Sequence, residues 1–272
     1  MPRPPSIADD LRWALDPAIF AREALGMTPD PWQECVLRWD GKRLILMVTR
    51  QGGKSTITSA LAFHRALYTP DSLILLVSPS LRQSSELFRK VTGHLAKLET
   101  PPHLNEDNKL SLQLANGSRI VSLPSSEATI RGFSAVDLAI FDEDARVPDD
   151  LYRAVRPMLA VSDGALILMS TPCGKRGHFF ETWDKGGDVW ERVRVPATEC
   201  PRISAAFLAE EQATMGELWF RSEYLCEFAD TVDGVFTHEQ VMGAFSDDVL
   251  PLFGNGETNS TLSAGALPPL FG

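Results

Sequence analysis

Aliphatic and β-branched runs alternate along the chain with stretches in which apolar residues return every three or four positions. That rhythm predicts strands joined by crossover helices, and so a mostly parallel sheet. Strands are expected at 44–48, 73–78, 137–141, 165–170 and 189–195. Leu-Ile-Leu-Leu-Val at 73–77 and Ala-Leu-Ile-Leu-Met at 165–169 carry no polar alternation, so both faces of these strands should be covered. Between them, 110–115 and 118–123 flank Asn116-Gly117, which suits a tight type I′ hairpin at an inserted edge. The stretch 204–228 reads as one long helix, with Ser204 at its N-cap and Phe207, Leu208, Met215, Leu218, Trp219, Cys226 and Phe228 among charges. Beyond Asp233 the pattern thins, and 253–272, a mixture of Gly, Asn, Ser, Thr and Pro, is expected to be a mobile tail.

Composition narrows the class. At 272 residues, 44% apolar and 23% charged, the chain fits one large α/β domain, alone or with a small appendage, and is not a disordered polymer. No apolar run approaches the ~18 residues that span a bilayer, and the Pro-rich, acidic start is unlike a signal peptide, so a soluble, intracellular protein is expected. Four cysteines (Cys35, Cys173, Cys200, Cys226) without a C-x-x-C signal neither a zinc site nor a disulfide framework. With 26 basic and 36 acidic residues the net charge is −10, so any nucleic-acid contact must come from a local patch.

The strand expected at 44–48 runs into Thr49-Arg50-Gln51-Gly52-Gly53-Lys54-Ser55-Thr56 and then a helical pattern, the context of a phosphate-binding loop. Gly52 and Gly53 let the backbone turn N–H groups around phosphate oxygens, and the helix aims its positive end at the same place. Lys54 would reach the β- and γ-phosphates and Ser55 would hold Mg²⁺. Val48 stands where the common pattern has its first Gly, so the loop must take a variant shape. A plain helix-capping turn would use similar residues. A second element weighs against that reading. Asp137-Leu-Ala-Ile-Phe-Asp-Glu-Asp144 is an apolar strand that delivers carboxylates, with Asp142 placed to bind Mg²⁺, directly or through a water, and Glu143 to polarise an attacking water. Ser170-Thr171-Pro172 is a weaker third element, hydroxyls at the carboxyl end of a central strand.

Taken together, Asp30-Pro-Trp-Gln33, Arg50-Gln-Gly-Gly-Lys-Ser-Thr56, Ile130-Arg-Gly-Phe with Phe141-Asp-Glu143, and Glu223-Tyr-Leu-Cys-Glu-Phe228 resemble the large terminase subunits of tailed double-stranded DNA bacteriophages, the ATPases that pump the genome into the procapsid. The resemblance covers about residues 20 to 235. It makes Val48 and Arg50 family marks, since that phosphate loop lacks its first Gly and carries an Arg. It implies that Gln33 reads adenine with Trp32 packed beside it, that Thr171 belongs to the motif coupling hydrolysis to motion, and that Arg131 is an arginine finger for a neighbouring subunit's nucleotide. A permanently charged, bidentate guanidinium can stabilise the γ-phosphoryl transition state, worth ~10³ to 10⁵ in rate for such fingers. Arg50 competes for a related role, folding back onto the phosphates in cis.

The resemblance further implies a RecA-like P-loop ATPase of the additional-strand, catalytic-Glu type: residues 1–195 as core, 196–232 as a helical lid, 233–272 as linker and tail. It implies ATP and Mg²⁺ as cofactors, and double-stranded DNA, the portal protein, the small terminase subunit and a homo-oligomeric ring, a pentamer, as partners in the host cytoplasm. Arg82, Arg89, Lys90, Lys175 and Arg176 are candidate DNA contacts. Such subunits usually carry a ribonuclease-H-like nuclease domain. Fewer than forty residues follow Asp233, so no nuclease activity is expected of this stretch. A helicase-like remodelling ATPase and a nucleotide-switched portal-docking module with little turnover are the alternatives.

Overall fold

In the computed structural model, which describes residues 6–125 and 132–229, the aliphatic runs do become strands of one sheet. Three helices come first: α1 (Ile7–Leu15), α2 (Pro17–Glu23) and α3 (Pro31–Leu37). The sequence pattern had not suggested α1 or α2. Their starts are nonetheless chemically marked, because Ser6 and Asp9 form a reciprocal capping box and the Asp16 carboxylate accepts from the Ala18 and Ile19 amides just past Pro17. Then follow β1 (Arg43–Val48), α4 (Lys54–Tyr68), β2 (Leu73–Ser78), α5 (Leu81–Leu95), β3 (Leu104–Asp107), β4 (Ser111–Leu114), β5 (Arg119–Pro124), β6 (Leu138–Asp142), α6 (Asp149–Val155), β7 (Ala165–Ser170), α7 (Gly177–Lys185), β8 (Glu191–Val195), α8 (Ala205–Thr214) and α9 (Glu217–Glu223).

The strand order is β3-β4-β5-β2-β6-β7-β1-β8. From β5 to β8 every pairing is parallel, while β3 and β4 join antiparallel, so the sheet is mixed. Alternate residues of the central strands feed two cores. Leu44, Leu46, Ile74 and Leu76 pack under α2, α3, α4 and α5, whereas Ile45, Leu75 and Val77 pack against Leu151, Val155 and Phe179 of α6 and α7. Both faces are therefore covered, as the unbroken apolar runs required. The register sets Met47 beside Ser170 and Asp142 beside Met169, so the carboxyl ends of β1, β7 and β6 form one edge. Ligands of parallel α/β sheets bind at such an edge.

Two local expectations are corrected. The Asn116-Gly117 hairpin is not type I′, which needs positive φ at both central residues; only Gly117 has it, at +87°. Gly117 N bonds to Leu114 O at 3.0 Å and Leu114 N to Ser118 O at 2.9 Å, a three-residue loop closed by a left-handed glycine. A Cβ on Gly117 would lie 2.0 Å from Asp71 Oδ1. Gly117→Ala is expected to cost about 1–3 kcal/mol, read as a lower urea midpoint at unchanged slope; an unmoved midpoint would show that the turn relaxes freely.

The stretch 204–228 is not one helix either. Ser204 does cap α8, its hydroxyl accepting from Phe207 N, but the chain turns extended at Met215 (ψ 139°) and restarts at Gly216 as α9. Glycine is a poor helix interior residue, and the break lets Phe220 and Tyr224 fold with Ala197 into a third, small apolar cluster beside Leu208 and Met215. The expected tail 233–272 lies outside the described residues.

Candidate functional site

The site begins where β1 ends. Residues 49–53 leave the strand, with Gln51 at φ +58° and Gly53 at φ +93°, and α4 starts at Lys54. The positive φ of Gly53 favours glycine, and a Cβ there would also push on the Gln33 amide, falling 2.7 Å from its Nε2. Three loop amides are engaged with protein: Thr49 N with Val195 O at 2.9 Å, Arg50 N with Glu223 O at 3.3 Å and Gly52 N with Thr49 O at 3.1 Å. Of the amides that Gly52 and Gly53 were expected to turn toward phosphate, Gly52 N is thus bonded within the loop. The first-turn amides of α4 are the donors that helix geometry leaves over.

Lys54 is 7% exposed, and its Nζ lies 2.9 Å from Glu143 Oε1. Ser55 Oγ donates to Asp142 Oδ2 at 2.9 Å. Two segments nearly ninety positions apart in sequence thus meet side chain to side chain. Burial pushes the Asp142 carboxyl above its ordinary pKa; Lys54 pulls the other way, and neighbouring Glu143 adds to the rise. Burial also pushes Glu143 up, but Lys54, then Arg146 and Arg50, outweigh it and hold that carboxyl below the usual range. The two carboxylates are therefore shifted in opposite directions, Asp142 upward and Glu143 downward. A hard cation placed here would find a hydroxyl and a carboxylate oxygen. Among the described residues no group of three or more His, Cys, Asp or Glu is placed to hold a metal ion.

Glu143 sits at φ +52°, a left-handed conformation that costs a non-glycine residue about 1–3 kcal/mol. The turn after it is pinned. Arg146 N and Val147 N bond back to Glu143 O and Asp144 O, and fully buried Asp144 accepts from His178 Nε2 at 2.8 Å. The other ring nitrogen of His178 is 2.8 Å from Asp149 Oδ1, and Tyr152 stacks on the imidazole at 4.3 Å. Burial pushes the His178 pKa down, yet the Asp144 and Asp149 carboxylates together raise it above its ordinary value. Protonated His178 therefore contributes stability that is complete below the unfolded pKa of about 6.5 and is lost as pH rises through the higher folded value. Unfolding free energy should fall over that window, and His178→Gln should flatten the fall; an unchanged slope in the variant would place the titration elsewhere.

Other expected site residues gather around this centre. Gln33 is buried; its Oε1 accepts from Asp30 N at 2.9 Å and its Nε2 donates to Gly52 O at 3.3 Å. Trp32 beside it is half-buried against the first core. The Thr56 hydroxyl accepts from Lys90 Nζ at 3.2 Å, and Thr171 is 1% exposed with its hydroxyl 3.4 Å from Arg146 Nη1. Arg50 is exposed and pairs with Glu223. Arg131 lies outside the described residues.

Lys90 corrects an expectation, since a DNA contact should be free at the surface. Instead it reaches back from α5 to the start of α4. Burial pushes its ammonium below the ordinary lysine pKa, with Asp142 pulling the other way and Lys54 adding to the fall. Arg82 and Arg89 on the same helix are exposed, Arg89 pairing with Glu86.

Sequence reasoning gave no role to three residues that the fold brings here. Arg146 bridges Glu143 and Glu223. Glu223 stood in a quoted motif without a function. Arg202 pairs with Asp30 and donates to Gly52 O at 2.7 Å. Only Arg146 left a signal, its i,i+3 spacing from Glu143.

The family model described as "Terminase large subunit, T4likevirus-type, N-terminal" matches residues 45–241. A terminase large subunit of Thermus phage G20c is 25% identical over 251 residues, 79% of this chain and 52% of that protein. One from Escherichia phage T5 is 27% identical over 190 residues, 67% of this chain and 43% of its own. The chain thus spans about half the length of the curated relatives it matches. Among solved structures, the Thermus phage P74-26 large terminase ATPase domain superposes with a TM-score of 0.68 at 23% identity, covering 76% of this chain and 97% of that one. The HK97 bacteriophage large terminase gives 0.67 at 17% identity, covering 80% and 56%. The shared feature is the P-loop α/β fold with its mixed sheet.

Proposed function

The chain belongs to the family of terminase large subunits, T4-like N-terminal type, and from that premise we propose that it is the ATP-hydrolysing part of a motor that drives double-stranded viral DNA into a procapsid. The observation that carries the reading is the meeting of Lys54 with Glu143 and of Ser55 with Asp142, each at 2.9 Å, where three parallel strands end. β7 stands between β1 and β6, which supports the reading of a RecA-like core with an additional strand.

In this reading the Gly-Gly-Lys turn and the first amides of α4 hold the phosphates of ATP, and Lys54 leaves Glu143 to meet the β- and γ-oxygens. Freed of Lys54 and ionised, Glu143 orients a water for in-line attack on the γ-phosphorus and takes up proton density as the bond to the β–γ bridging oxygen breaks, giving ADP and phosphate. Ser55 and Asp142 would hold Mg²⁺, which neutralises charge on the β- and γ-phosphate oxygens. The Gln33 amide has one donor and one acceptor site left after its contacts with Asp30 and Gly52, the pair an adenine edge requires. Trp32, Gln51, Gly52, Gly53 and Thr56 complete the nucleotide's surroundings.

Residues 1–195 would be the core and 196–232 the lid that tilts when phosphate leaves. Arg131 would reach a neighbouring subunit's nucleotide in a homo-oligomeric ring. Portal protein, small terminase subunit and DNA are the partners the family implies. Among the described residues no helix is long and apolar enough to cross a membrane.

Phosphate release in the presence of Mg²⁺ tests the activity, with double-stranded DNA expected to stimulate it. A chain that binds MgATP and releases none would instead be a nucleotide-dependent docking module.

A further inference from the structure

A non-glycine residue in the left-handed region, as Glu143 is at φ +52°, persists only where its surroundings impose that conformation. The anchor lies one position further on. Asp144 is fully buried, its Oδ1 accepts from His178 Nε2 at 2.8 Å, and its Oδ2 has no hydrogen-bond partner among the described residues. A carboxylate in such a place keeps its charge only if that charge is matched, and among the described residues His178 is the cation that matches it.

His178 has a second acid at its other end. Its Nδ1 lies 2.8 Å from Asp149 Oδ1, and its backbone amide donates to the same oxygen at 3.0 Å. Two ring nitrogens that both face carboxylates are satisfied together only when each carries a proton, because the neutral ring has one donor and would turn a lone pair on one of the acids. Burial opposes the imidazolium, but Asp144 and Asp149 outweigh it and raise the imidazole pKa. The ring is also held still: Tyr152 of α6 stacks on it at 4.3 Å and 11°, and Phe179, next in sequence, is buried in the second core.

The turn after β6, the start of α6 and the start of α7 therefore meet on one imidazole. The charged groups that face it are Asp144 from the turn and Asp149 from α6, with Arg153 of α6 acting on Asp149. Without the imidazolium, Asp144 is left buried and unmatched, and the turn that aims Glu143 loses its anchor.

We propose that His178 is a positioning residue for hydrolysis: clamped between Asp144 and Asp149, its imidazolium fixes the turn after β6 and with it the left-handed backbone from which Glu143 reaches the attacking water. The inference rests on the ATPase reading and adds to it a group on α7 that acts through the neighbour of the glutamate.

The test uses the full chain. His178→Gln keeps a donor for one acid and removes the charge; it is expected to lower kcat about 10- to 100-fold and to leave the affinity for a fluorescent ATP analogue within about threefold. Asp149→Asn, at a more open position, keeps the shape and takes away one of the two acids that favour the imidazolium. Wild-type kcat/KM, which reports the nucleotide-free protein, should fall as pH rises through the His178 value, above the ordinary one of about 6.5. That fall should begin at lower pH in Asp149→Asn and be absent in His178→Gln, shifts that a merely structural contact would not produce. In the nucleotide-free chain at one fixed pH, the Arg146 and Val147 amides, bonded back to Glu143 O and Asp144 O, should exchange faster in His178→Gln than in the wild type.

Wild-type kcat in folded His178→Gln, equal losses of kcat and affinity, unaltered exchange at 146 and 147, or an alkaline limb that Asp149→Asn does not move would overturn the proposal while wild-type turnover left the ATPase reading intact. The Asp149→Asn profile decides the matter even if His178→Gln fails to fold. A wild-type chain that releases no phosphate would remove the ATPase reading and this inference together.

Discussion

Glu143→Gln is expected to lower kcat for ATP hydrolysis by about 10² to 10⁴-fold while nucleotide affinity stays close to that of the wild type. The carboxylate is held between Lys54 and Arg146, at 2.9 and 3.1 Å, and these cations keep it ionised against the effect of burial. An amide fills the same space and can accept one hydrogen bond, but it has no negative oxygen with which to polarise water. Because the folded pKa lies below the unfolded one, the ion pairs add stability above the unfolded value of about 4.3, and that contribution is lost as pH falls through the folded value. The acid limb of the kcat/KM profile, which reports the nucleotide-free protein, should likewise lie below the usual range for glutamate. Phosphate release measured beside a nucleotide titration checks the split; equal losses in kcat and affinity would make Glu143 a structural group.

Lys54→Ala should damage two functions, lowering kcat/KM by about 10³-fold and weakening nucleotide binding as well. In the described site Lys54 is the buried cation nearest both carboxylates: it pairs with Glu143 and lowers the pKa of Asp142. Without it Asp142 is left to burial and to repulsion from Glu143, so it takes up a proton more readily and becomes a poorer partner for a cation. The variant therefore harms the phosphate side and the carboxylate side at once. Steady-state turnover and nucleotide binding report the two losses, and near-wild-type turnover in a folded Lys54→Ala chain would refute the role of the loop.

The elements best read from sequence were those fixed by local chemistry. Unbroken aliphatic runs could only be doubly covered strands, and β2 and β7 span the residues expected. Gly-Gly-Lys after a strand and Asp-Glu at the end of another named both halves of the site. What the sequence hid was set by contacts between distant segments. The break at Met215 and Gly216 serves a cluster that includes Ala197, and residue periodicity within 204–228 carries no trace of that partner. The hairpin loop is one residue longer than a type I′ turn, because Asn-Gly tolerates positive φ at both positions but the chain uses it only at Gly117. Lys90 read as an exposed helix charge since its partner, Thr56, sits on another helix. Arg202, Glu223 and His178 gain their meaning from a fold that brings 30 and 52 to the first, 50 and 146 to the second, and 144 and 149 to the third.

The central claim, that the Gly-Gly-Lys loop and the Asp-Glu pair enclose one magnesium nucleotide, is tested most directly by a crystal structure of Glu143→Gln with ATP and Mg²⁺. The γ-phosphate is expected beside Lys54 Nζ, and the metal at Ser55 Oγ and the Asp142 carboxylate. A nucleotide bound elsewhere on the chain, or a metal held by neither Ser55 nor Asp142, would contradict it.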